Sequence, residues 1–246
     1  MTTNYDPIAE QYKLSKQQPW RLDIETYGLL GLAGDLHDKE VVDLACGEGY
    51  YSRILEHQGA RHVLGVDSSQ GMIELARKQE AEQQIGVDYL LSDVREMPCN
   101  GSFDLAVAAW LLNYAQTQEQ LDDMCRAVAN CLKPGGRFVT INSSALMDGS
   151  SIPSYRKYGF GVSFPDEMRP GARIIWTFYV ESGTFEIENY YLSPAAHEEA
   201  LRAAGLRDIH WRPLRVSEDG MAAYEPGYWD TFLNKQPAVF IECVMA

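Results

Sequence analysis

Short apolar runs alternate with amphipathic stretches between residues 40 and 142. The run at 103–109 is continuously apolar, which is typical of a strand buried on both faces. The pattern predicts strands at 41–44, 61–66, 87–91, 103–109 and 137–141, and helices at 50–57, 71–82 and 121–132. Because helices follow strands in turn, we expect a parallel sheet with crossover helices.

This alternation ends after Asn142. Residues 143–172 are rich in Ser, Gly and Pro and are predicted to have little regular structure. The remaining pattern predicts a β-hairpin of residues 173–180 and 184–191, a helix at 194–204, strands at 209–216 and 238–245, and a long aromatic loop at 217–237. Turn chemistry at 133–136 is expected to end the preceding helix.

Composition narrows the class of protein. The chain of 246 residues is 46% hydrophobic, which fits one globular domain or one domain with a cap. No apolar run approaches the ~20 residues that span a membrane. The first residues also lack the basic and apolar regions of a signal peptide.

Charge and cysteine content narrow the expected partners and location. The net charge of −14 lacks the basic footprint of a nucleic-acid binder, so we expect a small-molecule substrate. The five cysteines are an odd number without CxxC spacing, which indicates reduced thiols in a cytoplasm. We therefore expect a cytoplasmic protein with no membrane or nucleic-acid partner. A monomer is compatible with the sequence, which leaves the oligomeric state open.

The strand at 41–44 leads into a glycine-rich turn and then a helix. Gly47 and Gly49 let the backbone turn sharply and approach a ligand closely. Asp43, at the carboxyl end of the strand, is placed to accept a hydrogen bond from a cationic amine. The turn therefore favours a nucleotide-like ligand that carries an amino group.

Acidic residues close each of the first three strands: Asp43, Asp67 and Asp93. In a doubly wound sheet ligands bind at the carboxyl ends of the strands, so the three carboxylates should face one crevice. Asp67 is placed for the hydroxyls of a ribose and Asp93 for an exocyclic adenine amine. Each acid alone is equally explained as a turn or helix cap, but all three in matching positions favour a ligand site.

These motifs resemble those of class I S-adenosylmethionine-dependent methyltransferases. The matching elements are DLACGEG at 43–49, the ribose acid Asp67, SDV at 92–94 and the LKPGG turn at 132–136. The resemblance implies a Rossmann-like α/β fold with a seven-stranded sheet whose last strand is antiparallel, capped by a C-terminal antiparallel hairpin. It implies S-adenosyl-L-methionine as cofactor and S-adenosyl-L-homocysteine as product. The cofactor residues that it implies are Tyr12, Asp43, Ala45, Gly47, Gly49, Asp67, Ser68, Met72, Ser92, Asp93, Val94 and Ala109.

The same resemblance bears on the acceptor and on catalysis. Residues 109–114 replace the Asp/Asn-Pro-Pro-Tyr motif of enzymes that methylate amino groups of nucleic acids, which favours a small molecule. Residues 5–12 resemble the lid helix of small-molecule methyltransferases, so a helical lid is expected over 1–32, with Trp20 and Arg21 within reach of either ligand. We expect positioning by Tyr12, Trp110 and Asn113 without an essential base, because no histidine stands at a motif position. No metal site is expected.

The C-terminal half resembles proteins assigned as toxoflavin synthases in its hairpin at 173–191 and in GYWDTFL at 227–233. This resemblance implies N-methylation of a small heteroaromatic compound, a demethylated toxoflavin precursor such as didemethyltoxoflavin or reumycin. It assigns residues 143–193 and 217–237 of a single domain (1–246) to a substrate cap. The expected substrate residues are Trp20, Trp110, Trp176, Tyr179, Tyr191, Tyr228 and Trp229.

Three alternatives stay open on the sequence alone. One is an O- or N-methyltransferase of another small metabolite. Another is an NAD-dependent oxidoreductase, which Ser52 weakens because it stands where the third glycine of a dinucleotide motif belongs. The last is a protein that binds the cofactor without transferring a methyl group.

Overall fold

The computed structural model describes residues 5–145, 153–165 and 167–246. The strands are β1 Glu40–Leu44, β2 His62–Asp67, β3 Asp88–Leu91, β4 Phe103–Ala109, β5 Leu132–Ser143, β6 Phe160–Ser163, β7 Ala172–Val180, β8 Gly183–Tyr191, β9 Leu206–Arg212 and β10 Ala238–Met245. The α-helices are α1 Ala9–Ser15, α2 Tyr27–Ala33, α3 Tyr50–His57, α4 Gln70–Gln83, α5 Gln118–Cys131, α6 Pro194–Ala203, α7 Glu218–Ala223 and α8 Asp230–Lys235. A π-helix spans Arg21–Thr26, and short 3-10 helices span Asp6–Ile8, Leu112–Tyr114 and Arg156–Tyr158.

Seven strands form the central sheet in the order β3-β2-β1-β4-β5-β10-β9. Strands β1 to β5 pair in parallel, and β10 is antiparallel to both β5 and β9. The predicted α/β fold with its antiparallel last strand is therefore confirmed. The strand order reverses between β1 and β4, which is the place where ligands bind in doubly wound sheets.

Side-chain alternation along the inner strands fills a core on each face of this sheet. Val41, Leu105 and Val107 pack on one face, and Val42 and Ala106 pack on the other. All five are almost completely buried, as expected of strands covered on both sides. This packing holds β1 and β4 in register, so that their carboxyl ends lie side by side.

Three antiparallel strands form a separate second sheet in the order β6-β7-β8. The hairpin of β7 and β8 was predicted, and its two-residue loop is Glu181-Ser182 with Val180 opposite Gly183. Strand β6 corrects the expectation of little regular structure at 143–172. It forms because Phe160 pairs with Phe178 in the ladder with β7 and its buried ring stacks on Trp176 at 5.1 Å, which outweighs the local glycines. Residues 146–152 and 166 of the predicted cap lie outside the described residues, as do residues 1–4 of the predicted lid.

Two predicted boundaries in the C-terminal half are also wrong. The segment 217–237 contains α7 and α8 rather than a loop, and Ser217 caps α7 by accepting from the backbone N–H of Gly220 at 2.9 Å. Strand β9 ends at Arg212 rather than Val216 because Pro213 has no N–H for the ladder.

The predicted turn at 133–136 belongs to β5. Phe103 pairs with Leu132, and Leu105 pairs with Arg137, so the intervening residues form a bulge within the strand. Gly135 takes a φ of +78° at this bulge, which explains why turn-forming residues occur inside a strand.

Cys99 and Cys131 form a disulfide, which corrects the expectation of reduced thiols only. Their Cα atoms lie 4.7 Å apart because the chain before β4 packs against the end of α5, where Gly101 donates to the Asn130 carbonyl at 2.8 Å. Sequence spacing gives no sign of this pair, which is 32 residues apart. Among the helices that the structure describes, none is long and apolar enough to cross a membrane.

Candidate active site

A cleft opens at the carboxyl ends of β1, β2 and β4. Of the residues predicted to hold the cofactor, those in its wall are Tyr12, Ala45, Gly47, Asp67, Ser68, Met72, Asp93, Val94 and Ala109. The wall also contains Tyr5, Arg95, Leu111, Tyr114 and Met124, which the motifs did not indicate. The chain thus brings most of the predicted residues together at the strand-order reversal.

Asp67 holds the glycine-rich turn against β2. One carboxylate oxygen accepts from the backbone N–H of Gly47 and the other from that of Ser69, both at 2.8 Å. Burial raises the pKa of Asp67, and these two hydrogen bonds oppose the shift. Each oxygen keeps acceptor capacity for a ligand hydroxyl, whereas the Gly47 N–H is already used within the protein.

Asp43 lies beneath the cleft rather than in its wall. It is completely buried, and one carboxylate oxygen, Oδ2, accepts from the Ser52 hydroxyl at 2.6 Å. Its Oδ1 has no partner among the described residues. Burial raises the pKa of Asp43 to about 7. A buried acceptor without a donor is costly, and a ligand ammonium is the group that best satisfies it.

Two other predicted cofactor residues shape the cleft without lining it. Gly49 adopts a φ of +80° at the start of α3, and a Cβ there would overlap the ring of Tyr89. Ser92 donates its backbone N–H to the Asp67 carbonyl at 2.9 Å, which joins β3 to β2. Both residues therefore hold the backbone around the cleft, and their direct contact with the cofactor stays a prediction.

Two residues other than glycine adopt left-handed backbone conformations in the cleft wall. Ala45 follows β1 with a φ of +58°, and Trp110 follows β4 with a φ of +71°. Such conformations are uncommon outside glycine and cluster at ligand sites. They turn the chain at the ends of the two central strands and place Ala45 and Trp110 on the cleft.

The N-terminal segment covers the cleft from the side of α4. Asp6 accepts from the Ser69 hydroxyl at 2.5 Å and from the Gly71 N–H at 3.0 Å, and the first of these lowers its pKa. Tyr5 stands edge-on to Tyr12 at 5.4 Å and shares a hydroxyl contact with Tyr114. This arrangement agrees with a lid, which remains a proposal.

A smaller cavity, with a volume of about 10 Å³ and therefore room for about one water molecule, adjoins the cleft. The two share Tyr5, Tyr12, Trp110 and Tyr114, and the remaining walls are Arg21, Trp176, Phe178, Ile187 and Asn189. We call this the inner cavity. Sequence reasoning placed Trp110 and Trp176 here, but it missed Phe178, which the alternation at 174, 176 and 178 would have indicated.

The other predicted substrate residues lie outside both cavities. Trp20 is buried behind Trp110, with ring centroids 6.2 Å apart, and its indole N–H donates to Gln18. Tyr179 faces away from Trp176 and Phe178 because neighbours on a strand alternate, and its ring centroid lies 4.2 Å from the Arg156 guanidinium carbon.

Tyr191, Tyr228 and Trp229 also lie outside both cavities. Tyr191 is at the end of β8 opposite Ala172. Trp229 stacks on Tyr158 at 5.4 Å, and Tyr228 stacks on Tyr224 at 4.2 Å. Trp229 thus packs the start of α8 on the 3-10 helix Arg156–Tyr158, and Tyr228 packs on the residue that follows α7.

Asn113 is buried and acts on the backbone of Trp110. Its side-chain amide donates to the Trp110 carbonyl at 3.3 Å, and its Oδ1 has no partner among the described residues. It therefore supports the strained turn after β4. In the described ranges no three His, Cys, Asp or Glu side chains are placed to hold a metal ion.

Comparison with known proteins bears on the chemistry of this cleft. Residues 41–136 match a family model described as a methyltransferase domain. A ubiquinone biosynthesis O-methyltransferase of Coxiella burnetii is 26% identical over 191 residues, covering 75% of this chain and 72% of that protein. An N-demethylindolmycin N-methyltransferase of Streptomyces griseus is 22% identical over 170 residues, covering 69% of this chain and 70% of that protein.

The fold also matches a solved structure closely. The crystal structure of an S-adenosylmethionine-dependent methyltransferase of Mesorhizobium loti superposes with a TM-score of 0.65 at 20% sequence identity. The match covers 94% of this chain and 99% of that one.

Proposed function

Since the chain is a class I S-adenosylmethionine-dependent methyltransferase, we propose that it methylates a ring nitrogen of a small heteroaromatic compound held in the cleft at the mouth of the inner cavity. The observation that carries the proposal is the wall of that cavity. Trp110, Trp176 and Phe178 form a packed aromatic cluster there, and Arg21 and Asn189 add polar groups. Flat heteroaromatic rings favour such a combination.

The cleft residues fit the cofactor on observations made within this chain. The unpartnered Oδ1 of Asp43 suits the cofactor ammonium, and the free acceptor capacity of Asp67 suits the ribose hydroxyls. Asp93 and Val94 stand at the adenine side of the wall, where Arg95 binds both oxygens of Asp93 and lowers its pKa. When bound, S-adenosylmethionine supplies a methyl group already activated by a positively charged sulfur.

The protein contributes position and exclusion of water. Tyr5, Tyr12 and Tyr114 stand between the cleft and the inner cavity, so they define the opening through which acceptor and cofactor meet. Burial raises the pKa of both Tyr5 and Tyr114, which keeps their hydroxyls protonated at neutral pH. These tyrosines therefore act as donors and walls, and we assign no general base.

For the acceptor itself we propose a demethylated toxoflavin precursor, didemethyltoxoflavin or reumycin. The sequence resemblance of the hairpin and of residues 227–233 supports this choice. The relatives named for N-demethylindolmycin and for ubiquinone biosynthesis support a small molecule more generally. An oxygen atom of another small metabolite is the second candidate, and the ubiquinone-related O-methyltransferase favours it.

The test is a methyl-transfer screen with S-adenosylmethionine and a panel of acceptors. The panel contains demethylated pyrimidotriazines, pteridines, indoles and catechols, and mass spectrometry detects methylated product together with S-adenosylhomocysteine. We expect turnover of the nitrogen heterocycles, and a large loss of it in Trp176→Ala, which opens the cavity wall. If the catechols alone are methylated, the acceptor atom is an oxygen rather than a ring nitrogen. Cofactor binding with no turnover of any member would refute the proposal and favour a non-catalytic binder.

A further inference from the structure

Arg21 places a buried guanidinium on the wall of the inner cavity. It is 1% exposed and is the first residue of the π-helix, a rare element that often occurs at functional sites. One guanidinium nitrogen, Nη1, pairs with Glu25 Oε2 at 2.5 Å. Its Nε has no partner among the described residues.

Trp110 carries a second unpartnered donor on the same wall. Its indole Nε1 is buried without a partner in the described part of the chain. The guanidinium carbon of Arg21 lies 5.5 Å from the Trp110 ring centroid. By contrast, the indole N–H groups of Trp20 and Trp176 donate to Gln18 and Ser143. Buried donors are nearly always satisfied, so this pair indicates an acceptor atom supplied by a ligand.

Arg21 is the charged side chain among the described residues that line the inner cavity. Its partner Glu25 lies between two buried cations, with Lys16 Nζ at 3.4 Å on one side and Arg21 on the other. Tyr12 and Tyr51 also interact with Arg21, and Asp43 interacts with Lys16 from the cofactor side. The described wall of the inner cavity therefore presents a positive charge and no carboxylate.

We propose that Arg21 and Trp110 bind the methyl acceptor as its anion, so that the substrate class is an aromatic heterocycle with an acidic N–H or O–H next to a carbonyl group. This inference rests on the proposed function, because it places the acceptor at the mouth of the inner cavity. The Arg21 guanidinium attracts the anion, and the two donors bind its electron-rich oxygen or nitrogen edge.

Binding as an anion also accounts for transfer without a base. The acceptor releases its proton to solvent as it enters, so no proton has to leave during the reaction. A lone pair of the anionic ring atom forms the bond to the methyl carbon, and the carbon–sulfur bond breaks with its electron pair remaining on sulfur. The methylated product is neutral, which weakens its attraction to Arg21 and favours release.

The test uses two probes that differ mainly in acidity: lumazine, a pteridinedione with acidic N–H groups, and its analogue with both of these nitrogens methylated. Binding of each to the protein saturated with S-adenosylhomocysteine is measured by difference absorption and calorimetry. We expect lumazine to bind at least about tenfold more tightly than the analogue, with the spectrum of its anion at a pH where free lumazine is neutral.

Variants locate the effect at the two donors. Arg21→Gln removes the charge and should abolish the preference, Arg21→Lys keeps the charge and should retain part of it, and Trp110→Phe should weaken lumazine binding. Trp211→Phe is the matched control, because its indole N–H donates to Glu198 on the far edge of the sheet. Thermal unfolding identifies any variant that fails to fold, and Arg21→Lys then carries the test.

Several outcomes would overturn the inference: equal binding of the two probes, binding of neither, or a preference that survives in Arg21→Gln. If instead the proposed function is wrong and this inference is right, the anionic probe binds through Arg21, but no acceptor in the screen is methylated. Conversely, efficient methylation of acceptors that cannot ionise would refute this inference and leave the proposed function intact.

Discussion

Asp43 shows how one buried side chain can link cofactor binding to pH. Burial raises its pKa to about 7, and its Oδ1 has no donor in the described part of the chain. The ammonium of the cofactor favours the charged carboxylate. We therefore expect affinity for S-adenosylhomocysteine, measured by calorimetry, to fall between about pH 8 and about pH 6 as Asp43 takes up a proton.

Matched variants test that assignment. Asp43→Asn should weaken binding of S-adenosylhomocysteine by about tenfold at pH 8, and the affinity should then no longer fall between about pH 8 and about pH 6. Asp67→Asn should also weaken binding, but the fall in affinity over this pH range should remain. The linkage to folding has the opposite sign. Without ligand, folded Asp43 holds its proton to higher pH than the unfolded chain, so stability should fall as pH rises from 3.8 towards about 7. An Asp43→Asn protein that keeps the wild-type pH profile would contradict the role of Asp43.

Gly49 and Gly59 both adopt a positive φ, but they differ in the space around them. Gly59 has a φ of +93° with nothing within 4 Å of where a Cβ would lie, whereas a Cβ on Gly49 would overlap Tyr89. We expect Gly59→Ala to lower the free energy of unfolding by about 1 kcal/mol. Gly49→Ala should lower it further and weaken cofactor binding, as measured by urea unfolding and calorimetry. Equal losses in the two variants would mean that Tyr89 yields without cost.

At the scale of elements, the disulfide ties the chain before β4 to the end of α5. The disulfide lies near the amino ends of β4 and β5, whereas the cleft lies at the carboxyl ends of the strands. We expect reduction to lower the free energy of unfolding by about 4 kcal/mol, as for a closed loop of this size, with little change in methyl transfer. Cys99→Ser should unfold identically with and without reductant. A wild-type protein that is insensitive to reductant would show that the bond does not form.

Local patterns predicted the first half of the fold better than the second. Strand β4 and helix α3 lie where apolar runs and turn residues placed them, because their signals are local and strong. Strand β6 and the helices α7 and α8 depend on aromatic partners elsewhere in the chain, which no local pattern shows.

The same difference appears in the site. Residues fixed by motifs at strand ends, such as Ala45 and Asp67, line the cleft as expected. Tyr228 and Trp229 have the composition of a substrate pocket, but they pack against Tyr224 and Tyr158 instead. Composition alone does not distinguish an aromatic wall that faces a ligand from one that joins two elements.

On the scale of the whole molecule, charge is distributed unevenly. The chain carries a net charge of −14, yet the charged group in the described wall of the inner cavity is the buried Arg21 guanidinium. The cofactor side holds the buried Asp43 and the half-buried Asp67. The negative net charge disfavours binding of nucleic acid and of phosphate-rich partners. Inside the protein, Asp43 and Asp67 suit a cationic ligand in the cleft, and Arg21 suits an anionic group beside it.

The central claim is that cofactor and acceptor occupy the cleft side by side, with the acceptor at the mouth of the inner cavity. A crystal structure with S-adenosylhomocysteine and an acceptor from the screen tests it most directly. We expect the ribose hydroxyls on Asp67, the amine directed to Asp43, and the acceptor ring against Trp110 with a heteroatom on Arg21. An acceptor ring bound away from the inner cavity, for example against Tyr228 and Trp229, or a cofactor bound away from Asp67, would contradict the account.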